Sequence, residues 1–305
     1  LQVGNVSGVL LQDLFFTPFR APTDNDAHSP LVLGKQNWFT KQYDHPKRTC
    51  LEVRQGNGAE EPSLVYTTAY QTEKDNFYVT IGLWQAGQNR IFIDCNVQSP
   101  AEMLSPGRIG MTAILPVRFT AMNWYGKGPL ETYPDRQCGG RMGVYSEDVR
   151  NQSFYLRPQE YGLHMESRSM RLTDPDRADF VRFEAACPMA MSAVPYSDLQ
   201  LWNARHPHEL PAPEALYVHL DYAHRGLGNS SCGPDALPAY RINDRPCRFG
   251  FALEAGSGER EDNPFGPIPE EIPAYHPWKA VEEQDRTPSY RDPSDPDQRS
   301  NAGMV

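Results

Sequence analysis

An all-β fold of packed antiparallel sheets is predicted by three observations. Runs with a period of two recur along the chain, 28 prolines punctuate it, and helical patterns are few and short. An α/β barrel needs helices alternating with strands, and this chain lacks them.

The first element is an aromatic run that reads as a buried strand, followed at once by charge: "FFTPFRAPTDNDAHSP", residues 15–30. Pro18 and Pro22 exclude a helix at this point and push the residues before them towards extended geometry. Arg20, Asp24 and Asp26 are therefore expected on a stiff, irregular turn. There they form an internal arginine–carboxylate clamp or line a polar pocket. A helical pattern, "PLVLGKQNWFTKQY" (30–43), comes next. The strands "SLVYTTAY" (63–70), "NFYVTIGLW" (76–84) and "RIFIDCNV" (90–97) then follow, the last two joined by the hairpin loop "QAGQN". Beyond Pro106-Gly107 come "RIGMTAILPV" (108–117), "FVRFEAA" (180–186), "ALYVHLDY" (215–222) and "RFGFALEA" (248–255), all rich in β-branched and aromatic residues. Between the last of these strands sits one short helix, "SDLQLWNAR" (197–205), which Ser197 is placed to cap.

The chain divides into a body, residues 1–255, and a proline-rich acidic tail, residues 256–305. A tail of that composition buries too little to offset its ordering entropy. Residues 255–305 carry 11 acidic and 5 basic side chains, which leaves 28 acidic and 24 basic on the rest. The body is thus close to neutral and has no basic stripe, so neither nucleic acid nor an anionic membrane is an expected partner. No stretch approaches the roughly 20 apolar residues of a membrane span. Six scattered cysteines without a CxxC pair predict reduced thiols and a cytoplasmic protein rather than a zinc ribbon or a disulfide scaffold. Histidines 206 and 208 lack a second ligand pair, so no metal site is expected.

Three stretches beyond the first concentrate chemistry. "NWYGKGPLETYPDRQCGGRMGVY" (123–145) offers aromatic faces suited to sugar rings at Trp124, Tyr125 and Tyr133, with hydrogen-bonding groups at Glu131, Asp135 and Arg136. "PQEYGLHMESRSMRL" (158–172) carries Glu160, His164, Glu166 and Arg168. Regular alternation puts the last three on one strand face, as a surface ladder or an acid–base pair. "HRGLGNSSCGPDALPAY" (224–240) is a glycine-rich loop with no helix after it to present phosphate-binding N–H groups.

The order of four stretches is more specific than any one of them. "RAPTDND", "WYGKGPLETYPDR", "RPQEYGLHMESRS" and "GLGNSSCGPDAL", spread between residues 20 and 237, closely resemble the C-terminal domain of the large bacterial-type β-galactosidases of glycoside hydrolase family 2. That region is also the small subunit of the two-chain versions. The resemblance spans roughly residues 11–253. It implies a galactose-mutarotase-like β-supersandwich and a place in an enzyme that hydrolyses terminal β-galactosides of the lactose type with retention. By resemblance, the two catalytic glutamates and the magnesium and sodium sites belong to an α/β barrel elsewhere in the enzyme. No residue here is then catalytic, no cofactor is held by this chain, and the chain alone is inactive. Its implied partners are that barrel, in the same chain or a large subunit, the galactoside, and further copies in an oligomer.

The same resemblance assigns substrate contacts to Asn229, Ser231 and Cys232 of the glycine-rich loop and to His28 at the mouth of the site. Arg20, Asp24, Asn25 and Asp26 become the motif that braces the mobile loop after them. The best-known bacterial members carry tryptophan where Cys232 stands, and a thiol offers no indole face for stacking. Only nineteen residues precede Arg20, so a sheet edge is expected to be open to association. Two other readings are a free-standing carbohydrate-binding module and a mutarotase-like epimerase using His164 with Glu160 or Glu166.

Overall fold

The computed structural model describes residues 11–28, 42–56, 61–73, 75–86, 89–100, 103, 105–152, 155–228, 235–242 and 246–258. Twelve strands and two short helices follow in chain order: β1 (Asp13–Thr17), α1 (Asp24–His28), β2 (Lys47–Gln55), β3 (Leu64–Gln71), β4 (Asn76–Gln85), β5 (Arg90–Gln98) and β6 (Arg108–Pro116), then β7 (Ala121–Gly128), β8 (Arg141–Asp148), β9 (His164–Thr173), β10 (Asp179–Val194), α2 (Asp198–Asn203), β11 (Ala215–His224) and β12 (Cys247–Ser257). Every pairing is antiparallel, in the order β1-β6-β11-β10-β12-β5-β4-β3-β2, with β9, β7 and β8 branching from β10.

The branch point explains how one hydrogen-bonded network makes packed layers. The first half of β10 lies between β9 and β12, and its second half pairs with β11. Register breaks between Glu184 and Met191 surround Pro188, which cannot donate to a ladder and belongs where pairing is interrupted. There β10 exchanges β12 for β11 as its partner. Between the layers lies a core built on Phe77, Met111, Trp124, Met170, Phe183, Leu220 and Phe251.

Burial follows position in the sheet. Along β4, Phe77, Val79 and Ile81 point inwards while Tyr78 is exposed, the alternation of a strand with one wet face. β6 lies between two strands and is buried almost throughout, whereas the edge strand β2 is exposed along nearly its whole length. The hairpin between β4 and β5 forms as the sequence predicts. So does α2, where Ser197 Oγ accepts from Gln200 N–H at 3.2 Å and Gln200 Oε1 accepts in return from Ser197 N–H at 2.8 Å.

Two expectations differ. Residues 24–28 form a helical turn, not an irregular one, because the proline restriction ends at Pro22 and the carboxylates of Asp24 and Asp26 suit the first turn of a helix. Residues 42 and 43, the end of the helix predicted over 30–43, are a turn. The rest of that helix, the glycine-rich loop from 229 to 234 and the tail beyond 258 lie outside the described residues. Among the described residues no helix is long and apolar enough to cross a membrane.

Candidate functional site

The four charged stretches meet at one end of β6 and β11. Arg20 is fully buried, and its guanidinium spans the junction. Nη1 donates to the Arg225 carbonyl at 2.6 Å, and Nη2 donates to the Gly226 carbonyl at 3.0 Å and to Asp26 Oδ2 at 2.8 Å. That same Oδ2 also accepts from Thr23 N–H and Thr23 Oγ1, each at 3.0 Å. One arginine fork therefore fastens the start of the glycine-rich loop to the turn of α1, using charge-assisted bonds shielded from water.

The loop is held from the other side by Asp135. Its carboxylate accepts from Leu227 N–H at 2.9 Å and from Gly228 N–H at 2.8 Å, while Asn25 Nδ2 donates to the Leu227 carbonyl at 3.1 Å. These contacts explain the two glycines. A Cβ on Gly226 would stand 2.5 Å from Asp135 Oδ2, and Gly228 combines a φ of +115° with Asn25 Nδ2 at 2.6 Å from where its Cβ would be. Arg225 pairs with Asp235 and so draws the two described ends of the loop together. Gln159 completes the junction by accepting the Asp24 N–H at 3.0 Å.

Beneath this lies a nest of buried charge that motif reading misses. Arg108 Nη2 donates to Glu160 Oε2 at 2.6 Å and to Asp198 Oδ1 at 3.2 Å, with Asp221 Oδ2 3.6 Å from Nη1. His224 Nε2 stands 3.5 Å from Glu160 Oε1, and Asp198 Oδ1 also accepts the Ala21 N–H. Burial alone would lower the Arg108 guanidinium, but Asp198, Glu160 and Asp221 reverse that and raise it. Burial pushes Asp198 up to about 6 and Asp221 up to about 8, against the pull of Arg108. Asp221 thus keeps its proton at neutral pH. His219 and His224 are held neutral by burial and by the neighbouring cations.

The family of the beta galactosidase small chain matches residues 3–253. The chain belongs to that family. Two relatives described as β-galactosidases, from Staphylococcus xylosus and Arthrobacter, are 27% and 33% identical over 81% and 73% of this chain. The chain spans about a quarter of the length of these relatives, 24% in each case. Among solved structures, a putative aldose 1-epimerase from Escherichia coli K12 is 9% identical, with a TM-score of 0.38 over 69% of each chain.

The structure of this small-chain family member brings some predicted residues together and separates others. Arg20, Asp24, Asn25 and Asp26 sit at the junction, where Arg20 and Asn25 hold the glycine-rich loop, Asp26 holds Arg20, and Asp24 meets Gln159; the segment after residue 28 that they are expected to brace lies outside the described residues. Asn229, Ser231 and Cys232 lie outside the described residues, as does the side chain of His28 at the end of α1. The predicted face of His164, Glu166 and Arg168 survives only as a Glu166–Arg168 ion pair, 4.0 Å apart. A left-handed φ of 55° at Glu166 breaks the alternation, so His164 is buried against the Trp124 ring at 3.9 Å while Glu166 and Arg168 remain half-exposed. Glu160 faces Arg108 and His224 instead. Trp124 and Tyr133, expected to offer faces to a sugar, are buried in the core. Among the described residues no group of three or more histidines, cysteines or acids is arranged to hold a metal.

Proposed function

We propose that this chain is the small subunit, or the corresponding C-terminal part, of a family 2 β-galactosidase that hydrolyses terminal β-galactosides of the lactose type with retention. It completes the sugar site with loops, while the catalytic glutamates and the magnesium and sodium ions stand on an α/β barrel. The observation that carries this reading is the junction itself. The buried Arg20–Asp26 pair and the half-buried Asn25 and Asp135 hold both sides of the base of one glycine-rich loop, an arrangement suited to a loop that must meet another surface in a set position. On this reading Cys232 at that loop contacts the substrate without a stacking face, and Asn229, Ser231 and His28 supply polar contacts. Cys50, Cys95, Cys138 and Cys187 are free thiols, which suits a cytoplasmic enzyme. The epimerase reading has less support, since Glu160 is committed to Arg108 and Glu166 stands half-exposed beside Arg168 while His164 is buried against Trp124.

Hydrolysis of a chromogenic β-galactoside by the chain alone, and after mixing with a barrel fragment of the same enzyme, tests the proposal. Activity only on mixing is expected. Activity of the chain alone would place the catalytic carboxylates here and overturn it.

A further inference from the structure

His224, the last residue of β11, links the buried nest to the base of the glycine-rich loop. It is fully buried, and each of its ring nitrogens faces an acceptor. Nδ1 stands 2.9 Å from the Arg225 carbonyl, and Nε2 stands 3.5 Å from Glu160 Oε1. A carbonyl can only accept, so Nδ1 must carry hydrogen to bond it. Glu160 Oε2 is held by Arg108 at 2.6 Å, whereas Oε1 is buried and accepts no hydrogen bond.

A neutral imidazole has one N–H, and one hydrogen cannot serve two acceptors on opposite sides of the ring. On Nδ1 it leaves the bare Nε2 opposed to the Glu160 oxygen. On Nε2 it leaves the bare Nδ1 opposed to the Arg225 carbonyl. Arg20 Nη1 also lies 3.4 Å from Nδ1, but it meets that same carbonyl at the shorter distance of 2.6 Å. A second proton, shared between Glu160 Oε1 and His224 Nε2, removes the conflict.

The surrounding charges agree with that count. Arg108 of β6 and Arg20 face the pair as cations. Asp198 of α2 and Asp26 of α1 are the anions bonded to them, and Asp221 of β11 keeps its own proton. Asp135 is turned to the Leu227 and Gly228 N–H groups, and the Arg225 guanidinium is paired with Asp235. His219 and the Tyr133 hydroxyl, raised by burial, are neutral, and the Tyr133 ring lies 5.5 Å from that of His224. With one proton on the Glu160–His224 pair, the two buried cations match their two anions. Without it the nest holds an unmatched negative charge, which burial penalises. Burial raises the Glu160 carboxyl and lowers the His224 ring, so the proton stands nearer Glu160.

We propose that this single buried proton fastens the base of the glycine-rich loop, by letting His224 meet Glu160 and the Arg225 carbonyl at once, and that its loss loosens the loop. When the proton departs to solvent, the one hydrogen left on the ring moves to Nε2 to meet the carboxylate, and the bond from Nδ1 to the Arg225 carbonyl breaks. Arg20 then holds that carbonyl without help from the ring. The device concerns the anchorage of the loop and stands whatever surface the loop meets.

Hydrogen exchange of the full chain tests it, followed at the Leu227 and Gly228 N–H groups and corrected for the intrinsic rate at each pH. Protection should fall about tenfold per pH unit over part of the range from about pH 6 to about pH 9, the slope of one proton released on opening. Glu160→Gln is a permanently protonated equivalent, since its amide can accept from Arg108 and donate to His224 Nε2, and the slope should vanish. Asp221→Asn removes the neighbouring buried proton and should leave the slope in place. A flat native profile, or a slope that survives in Glu160→Gln, would overturn the proposal. A nitrogen NMR spectrum of the native chain in which His224 Nδ1 carries no hydrogen at about pH 6 would do so equally, and it requires no variant to fold. Neither measurement involves hydrolysis, so the outcome is separate from that of complementation by a barrel.

Discussion

Two clusters of arginines and carboxylates in this chain contain similar groups in different solvents. On the face shared by β5, β10 and β12, Arg90 and Arg182 pair with Glu184 and Glu254 at 2.6–3.8 Å, and all four side chains are 22–36% exposed. In the nest under the junction, Arg108, Glu160, Asp198 and Asp221 meet at similar distances with almost no exposure. Water screens the first set, so each partner can be solvated if the other is removed. In the second set removal strands a charge in a medium that cannot solvate it. The comparison teaches that the distance between charges says little about their importance, and that burial decides it.

The largest effect should come from breaking the nest. Arg108→Met leaves Glu160 and Asp198 without their cation and should cost about 3–5 kcal/mol, read as a lower urea midpoint. An unchanged midpoint would erase the distinction between the two clusters. Arg20→Lys comes next. A single ammonium cannot reach Asp26 and the carbonyls of Arg225 and Gly226 together, so a loss of about 1.5–3 kcal/mol is expected, with faster hydrogen exchange at Leu227 and Gly228.

A third test sharpens the comparison through pH. Asp221 keeps its proton in the native state up to about pH 8, while the unfolded chain releases it near about pH 4. The stability this proton supplies is complete below about pH 4 and is lost as pH rises through about 8, and Asp198 acts in the same direction up to about pH 6. Asp221→Asn removes the larger part of that slope. Its stability relative to the native chain should therefore improve between pH 5 and pH 8, as measured by urea midpoints at both. The smallest effect is expected for Arg182→Gln in the exposed cluster, within about 1 kcal/mol and smaller still in high salt.

What the residues announce locally was legible in advance. The strands 76–85 and 90–98 carry their pattern in their own side chains, and the Ser197 cap needs only its neighbour at Gln200. The junction was half legible. The charged motif after Phe19 stood out, but its object did not, because Leu227 and Asp135 are separated from Asn25 by more than one hundred residues. The nest was not legible at all. Arg108 and Asp221 fall inside runs that read as ordinary strands, and nothing local says that β6 and β11 pair so as to put them side by side. His164 was misread for a related reason, since one left-handed residue at Glu166 redirects the strand.

The sequence by itself determined the class of fold, the alternation of wet and dry faces, and the order of motifs that places the chain in its family. These depend on period, turn chemistry and residue type, which act over a few residues. Only the tertiary structure decided which charges are buried together, which glycines are pressed against a carboxylate, and which acceptors stand on either side of a buried ring. Such properties depend on how far each group is removed from water, and that is set by strand pairing across the whole chain.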